Sequence, residues 1–318
     1  MSGMTGGRPA AFAAAAATPG EYRAGGTDVG ERRRSGRSTG SIVDLTGLPG
    51  LTEITPTPAG GVRIGALVTV EQVARELTGY PALAVTAAAL ATPEIRAVAT
   101  LGGNLLQRNR CAYYRNPGFS CFKSGGTGCP ARGGLALHGV ADDRGPCVAP
   151  HPSSIGMALL TYDATVEVAD GPTRTIIDLF GDGSDGSRDN RLGDREILTA
   201  VVLPAPLVGE NAAYERATSR RFAEWPLVEA VTRIGVTDGQ ITMAAVGAGG
   251  VAPVPLRLAT VESLLIGRSP DVDVLAAAAG QAADGFHPLE QTQYKLPLLR
   301  TTVLDVLQRA ALPGVELS

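Results

Sequence analysis

The sequence predicts an α+β protein in two units, and three observations carry that expectation. From about Arg23 to Val168, short strand and helix signals alternate with Gly-rich turns. The stretch LPAPLVGEN, residues 203–211, reads as a linker. Beyond it, two β-branched runs flank Asp238-Gly239, a strong short hairpin signal, and two helix patterns follow. A chain of 318 residues has room for one large domain or two ordinary ones, and 44% hydrophobic with 19% charged residues is a globular balance that supplies a core.

The elements follow in order. GGVRIGALVTVEQVAREL predicts a strand, a turn and a helix, with Thr69 and Gln72 at capping-box spacing. PALAVTAAALAT predicts an Ala-rich buried helix. SIGMALLTYDATVEVAD predicts a helix from Ser154 to Tyr162 and a strand through Val168. DLFGDGSDGSRDNRLGD, poor in apolar residues and rich in turn formers, predicts a surface loop before the strand EILTAVVLP. After the linker come a strand at Ala213–Thr218, the hairpin, and helices at about Asp271–Ala283 and Gln293–Leu312, the last interrupted or entered at Pro297. No internal repeat is present.

A formal charge of −3 offers no broad positive field and argues against a nucleic-acid partner. The short basic cluster Arg32–Arg37 reads as a solvated loop or a local anion contact. Lysine occurs only at 123 and 295, a preference for arginine that reads as codon bias. The apolar part of MSGMTGGRPAAFAAAAATPG is mostly Ala, too short and weak for a membrane span and without the pattern of a secretory signal, so a cytoplasmic protein is expected.

All four cysteines, Cys111, Cys121, Cys129 and Cys147, lie in one loop with nine, seven and seventeen residues between them. Two disulfides suit small secreted domains, which this chain does not resemble. A structural zinc usually takes a close C-x2-4-C pair, and none exists here. An iron–sulfur cluster also takes four thiolates and can draw them from a longer loop, which Gly125, Gly126, Gly128, Gly133 and Gly134 would let wrap closely. The spacing leans toward iron and leaves zinc and four unrelated thiols open. His138 and His151 read as ordinary loop residues, and Tyr113 and Tyr114 either shield a cofactor or form the loop's local core.

Two glycine motifs remain. In YRAGGTDVGE, consecutive glycines would bring backbone amides to phosphate oxygens and Thr27 adds a hydroxyl; ATLGGNLLQRNRC repeats the theme at Thr100–Asn104. Neither is the G-x-G-x-x-G fingerprint, and no Rossmann unit follows. Taken in order, AGGTDVGE, GGVRIGALVTVEQVA, TLGGNLLQR and YKLPLLRTTVLDVL resemble the FAD-binding medium subunit of the xanthine dehydrogenase and aldehyde oxidoreductase family of molybdenum hydroxylases. The resemblance runs from about Tyr22 to Leu312. GNLLQRNRC, the three later cysteines and HPS are most similar to the periplasmic-type aldehyde oxidoreductase flavin subunits, which insert a [4Fe-4S] cluster.

The resemblance implies a two-lobed FAD-binding domain (PCMH-like) over 1–208, an iron–sulfur insertion at 105–152, and a C-terminal α+β domain over 209–318 built on a three-stranded antiparallel sheet. It implies that Ala24, Gly25, Gly26, Thr27, Asp28 and Val29 hold the FAD pyrophosphate through backbone amides. Thr100, Gly102, Gly103 and Asn104 would lie along the flavin and its phosphates, and Arg216 matches a position where relatives often carry a lysine near the flavin. Cys111, Cys121, Cys129 and Cys147 would ligate the cluster. Two departures stand out: Ser154 replaces an aspartate common in relatives, and the segment before Tyr22 is short and Ala/Gly-rich, which puts its first helix in doubt.

The implied chain is an electron-exit module. A molybdopterin-binding large subunit oxidises the substrate, a small [2Fe-2S] subunit carries the electrons, and the FAD here delivers them to an external acceptor. No acid, base or nucleophile is assigned, because the chain shows no connected Ser/His/Asp or paired-carboxylate set. Export would require a signal on a partner. Two alternatives remain: a flavin-free zinc-loop scaffold, and a free-standing flavin oxidoreductase of the vanillyl-alcohol oxidase type, for which the chain leaves little room after its flavin domain.

Overall fold

A computed structural model describes residues 7–218 and 225–314. The first residues of the N-terminal segment and the end of YERATSRR lie outside the described residues. The chain enters through a short helix, Phe12–Ala17, so the Ala-rich segment does form its first helix. A small parallel pair, Glu21–Arg23 with Ile42–Asp44, encloses the helix Thr27–Arg34. Arg32 therefore sits in a helix and not in the loop expected for the basic cluster. It is buried, and its anionic partners are the protein's own Asp28 and Glu21.

A five-stranded antiparallel sheet follows, in the order Ile54–Pro56, Val62–Gly65, Leu198–Leu203, Thr165–Val168, Arg174–Thr175. Between its strands lies the helix Val70–Glu76, started by the expected capping box: Thr69 Oγ1 accepts from the Gln72 amide at 3.2 Å and Gln72 Oε1 from the Thr69 amide at 3.0 Å. The helix Pro81–Ala88 opens on a proline, which suits a first turn, and most of its residues are buried. The helix Ser154–Leu160 is buried along its whole length, as suits a sequence that is apolar after Ser154.

Among the described residues, the second unit holds four antiparallel strands where three were expected. Asn211–Ala217, Val228–Thr237 and Gln240–Gly249 are joined at the edge by the two-residue strand Leu256–Arg257. Two residues between a proline-containing turn and a helix carry too little periodicity to read as a strand. The hairpin turn is as expected, with Asp238 and Gly239 at φ 51° and 75°, the left-handed pair that matches strand twist. Strand Val228–Thr237 is buried at eight consecutive positions. Its sheet packs on the helix Lys295–Ala311 on one side and on the helices Pro81–Ala88 and Ser154–Leu160 on the other, and one core runs through both units.

Candidate functional site

Two regions meet at the helix Thr27–Arg34. The first is a cleft lined by all six residues Ala24–Val29 together with Thr100, Gly102 and Gly103. Close backbone approach explains the glycines. A Cβ on Gly25 would overlap the carbonyl of Val98, and one on Gly102 would lie 2.9 Å from the Ala66 Cβ. Gly26 caps the helix at φ 78°, with no side chain bonded to the first-turn amides, so these are left for a ligand. Thr100 Oγ1 accepts from the Gly103 amide at 3.1 Å and fixes the second motif as a short helix.

Asn104 does not line this cleft. Its Oδ1 accepts from the Ser153 hydroxyl at 2.7 Å, and Ser153 caps the helix that carries Ser154. Ser154 is buried and hydrogen-bonded to Tyr214 and Glu229. Arg216 lies directly across the strand pair from Glu229 and acts on both Glu229 and Tyr214. Tyr214 donates to Glu229 Oε2 at 2.7 Å. Burial raises the Glu229 carboxyl against the lowering contacts from Ser154, Tyr214 and Arg216. The structure thus places Ser154 and Arg216 in one cluster, apart from the glycine motifs. Tyr214 and Glu229 carried no sequence signal, since each looks like an ordinary strand residue.

The second region is the cysteine loop. All four thiols are free and line one cavity, together with Tyr113, Tyr114 and Lys123. Backbone amides of Tyr113 and Tyr114 point at the Cys111 sulfur and that of Ala149 at the Cys147 sulfur, while the Ser124 hydroxyl lies 3.6 Å from Cys121 Sγ. Amide donors around sulfur are the surroundings that iron–sulfur thiolates use. Burial pushes the Cys147 thiol up to about 11, with Lys123 acting the other way. Among the described residues, no group of three or more His, Cys, Asp or Glu is arranged to hold a metal ion. His138 is exposed and does not line the cavity.

His151 is buried as an ordinary structural histidine. Its Nδ1 accepts from the Ser153 amide at 3.2 Å, so Nε2 carries the proton toward the Asp189 carbonyl, also at 3.2 Å. Burial lowers its pKa to about 4.

Asp189 corrects the expectation of a surface loop over 178–194. It is buried and pairs with Lys123 at 3.0 Å and Arg108 at 3.1 Å. Burial opposes its charge, but Lys123 and then Arg108 outweigh it and hold the carboxyl below its usual range. Neither lysine of the chain reflects codon bias alone. Lys123 is packed beside the thiols, and buried Lys295 donates to the Gly250 carbonyl at 2.8 Å. Their rarity, which reads as codon bias in the sequence, coincides with two buried positions.

Asp28 joins the two regions. It lines the cleft, and its carboxylate accepts from Arg115 at 2.7 Å and pairs with Arg32 at 2.9 Å and Arg110 at 3.3 Å. Burial alone would raise this carboxyl; Arg115, then Arg110 and Arg32, lower it.

Comparison with known proteins assigns this architecture. Residues 10–206 match the family described as FAD binding domain in molybdopterin dehydrogenase, and residues 212–312 match CO dehydrogenase flavoprotein C-terminal domain. The chain is 34% identical over 302 residues to the aldehyde oxidoreductase FAD-binding subunit PaoB of Escherichia coli K12, covering 91% of each. It is 24% identical over 290 residues to the nicotinate dehydrogenase FAD-subunit of Eubacterium barkeri, covering 89% of this chain and 78% of that one. The fold superposes on quinoline 2-oxidoreductase from Pseudomonas putida 86 with a TM-score of 0.75 at 21% identity, covering 97% of each chain.

Together these define a flavoprotein subunit of a multi-subunit oxidoreductase. The chain belongs to the FAD-binding medium subunits of the molybdenum hydroxylases, of the aldehyde oxidoreductase and CO dehydrogenase type. Among the described residues, no helix is long and apolar enough to cross a membrane.

Proposed function

We propose that the chain is the electron-exit subunit of its complex and carries a [4Fe-4S] cluster beside its FAD. The bound flavin supplies the capacity to take electrons from iron–sulfur donors and release them to an external acceptor. The chain's own residues bind and orient. In this reading the amides of Ala24–Val29 hold the pyrophosphate, Thr100, Gly102 and Gly103 form the opposite wall, and Asn104 ties that wall to the helix carrying Ser154. Ser154 and Arg216, with Tyr214 and Glu229, form a polar cluster in the seam between the two units, where hydroxyls stand in for a fixed carboxylate on Ser154's helix. Cys111, Cys121, Cys129 and Cys147 are the cluster ligands.

The observation that carries the cluster is convergence: thiols spread across one long loop line a single cavity with amides aimed at their sulfurs. Thiolates on one zinc sit only about 4 Å apart. A cluster spreads its ligands more widely and can draw them from a longer loop. Buried Lys123 supplies positive charge beside four thiolates.

The partners in this reading are a molybdopterin-binding large subunit and a small [2Fe-2S] subunit. The complex is cytoplasmic unless a partner's signal exports it, which fractionation tests. The proposed division at 208/209 falls between the two family matches. Purification under low oxygen, followed by flavin release and iron and acid-labile sulfide analysis, tests the whole. The expected result is FAD with iron and sulfide in equal amounts, and a yellow-free preparation with one zinc and no sulfide would overturn it.

A further inference from the structure

The cleft and the cysteine cavity share a clamp that neither cofactor assignment requires. Arg115 lies one turn beyond Cys111 and its amide donates to the Cys111 carbonyl at 2.9 Å. Its guanidinium reaches back to the carbonyls of Arg108 at 2.7 Å and Asn109 at 2.8 Å, closing the start of the loop. Asn109 Oδ1 in turn accepts from the Cys111 amide at 2.9 Å. The same guanidinium binds the Asp28 carboxylate at 2.7 Å, with only 10% and 13% of the two side chains exposed. Arg110 adds a second strut. It meets Asp28 at 3.3 Å, pairs with Glu31, and donates at 2.9 Å to Gln107, which lines the cleft. A desolvated, multiply bonded arginine has one geometry, so the turn that presents Cys111 and the first turn of the helix Thr27–Arg34 are positioned together.

We propose that Arg115 and Arg110 are positioning residues for the flavin cleft, so that filling the cysteine cavity strengthens FAD binding and FAD in turn stabilises the filled cavity. The inference rests on the cluster reading given above. Ligation of Cys111 orders the short helix Ala112–Arg115 and holds Arg115 against Asp28, which fixes the amides of Thr27, Asp28 and Val29 toward the cleft. Loss of the cluster frees that turn, and the amides must then be ordered by FAD itself. Such coupling is reciprocal by necessity.

The test uses the full chain, purified without oxygen, deflavinated, and titrated with FAD by fluorescence. The cluster-free form is Cys129→Ser, whose altered position lies outside the Arg115 clamp. FAD binding is expected to weaken by about 5- to 20-fold without the cluster. Arg115→Gln in the cluster-replete chain should weaken it to a similar degree, and adding Cys129→Ser to Arg115→Gln should then cause no further loss. Glu31→Gln, on the more exposed arm, keeps the inference testable if Arg115→Gln does not fold, with an expected loss of about 2-fold. Unchanged FAD affinity on loss of a demonstrated cluster would overturn this inference alone. A wild-type chain without iron and sulfide would overturn the cluster reading beneath it.

Discussion

The cleft and the cysteine loop stand side by side but are built by opposite means. The cleft is made of backbone: Gly25, Gly102 and Gly103 are there for what a side chain would hit, and amides are its proposed ligating groups. The cysteine loop is held by charged side chains. Asp189 and Asp28 collect Lys123, Arg108, Arg110 and Arg115 from a stretch with only short helical turns. A backbone site tolerates few substitutions at its glycines. An ion-held loop depends on every buried partner of each charge.

The largest expected effect breaks the first half of that contrast. Gly25→Ala forces a Cβ into the Val98 carbonyl, where neither side is a flexible side chain, and should cost about 3 kcal/mol or more with loss of bound flavin, read from denaturation midpoint and FAD content. Asp189→Asn attacks the second half. It strands the Lys123 ammonium at 4% side-chain exposure and should cost about 3 kcal/mol, measured by urea unfolding at neutral pH.

The next prediction concerns pH. His151 has its folded pKa lowered to about 4, while an unfolded histidine titrates near 6.5. The unfolded chain therefore binds more protons between these values. Stability should fall by about 1.4 kcal/mol for each pH unit as pH drops from about 6.5 to 4, with no contribution from this group above pH 7. His151→Gln should flatten that slope in urea midpoints taken across the range. The smallest effect is a control remote from the thiols: Thr69→Ala removes one capping bond and should cost about 1 kcal/mol while leaving iron content unchanged.

The same contrast explains what could be read from sequence. Elements set by local chemistry were legible: the Thr69/Gln72 capping box, the Asp238-Gly239 hairpin and the buried Ala-rich helix at Pro81–Ala88. The cleft was legible too, because close backbone approach leaves a glycine signature and the motif brought Ala24–Val29 and Thr100–Gly103 together. The ion network was not. Asp189 sits in a run of turn formers, and nothing local distinguishes a buried aspartate there from Asp185, which bonds only its own turn. Arg32 looked like a surface charge because its partners Asp28 and Glu21 acquire meaning only after the helix folds back on the first strand. Glu229 pairs with Arg216 across strands that the sequence places side by side, but without saying which face is buried.

In the proposed function, the four thiols hold an iron–sulfur cluster beside the helix Thr27–Arg34. X-ray absorption at the iron and zinc edges of the anaerobically purified chain tests it most directly. About four irons per chain are expected, each surrounded by sulfur, with iron–iron scattering at longer distance. One zinc in a shell of four sulfurs, with no metal–metal scattering, would contradict it.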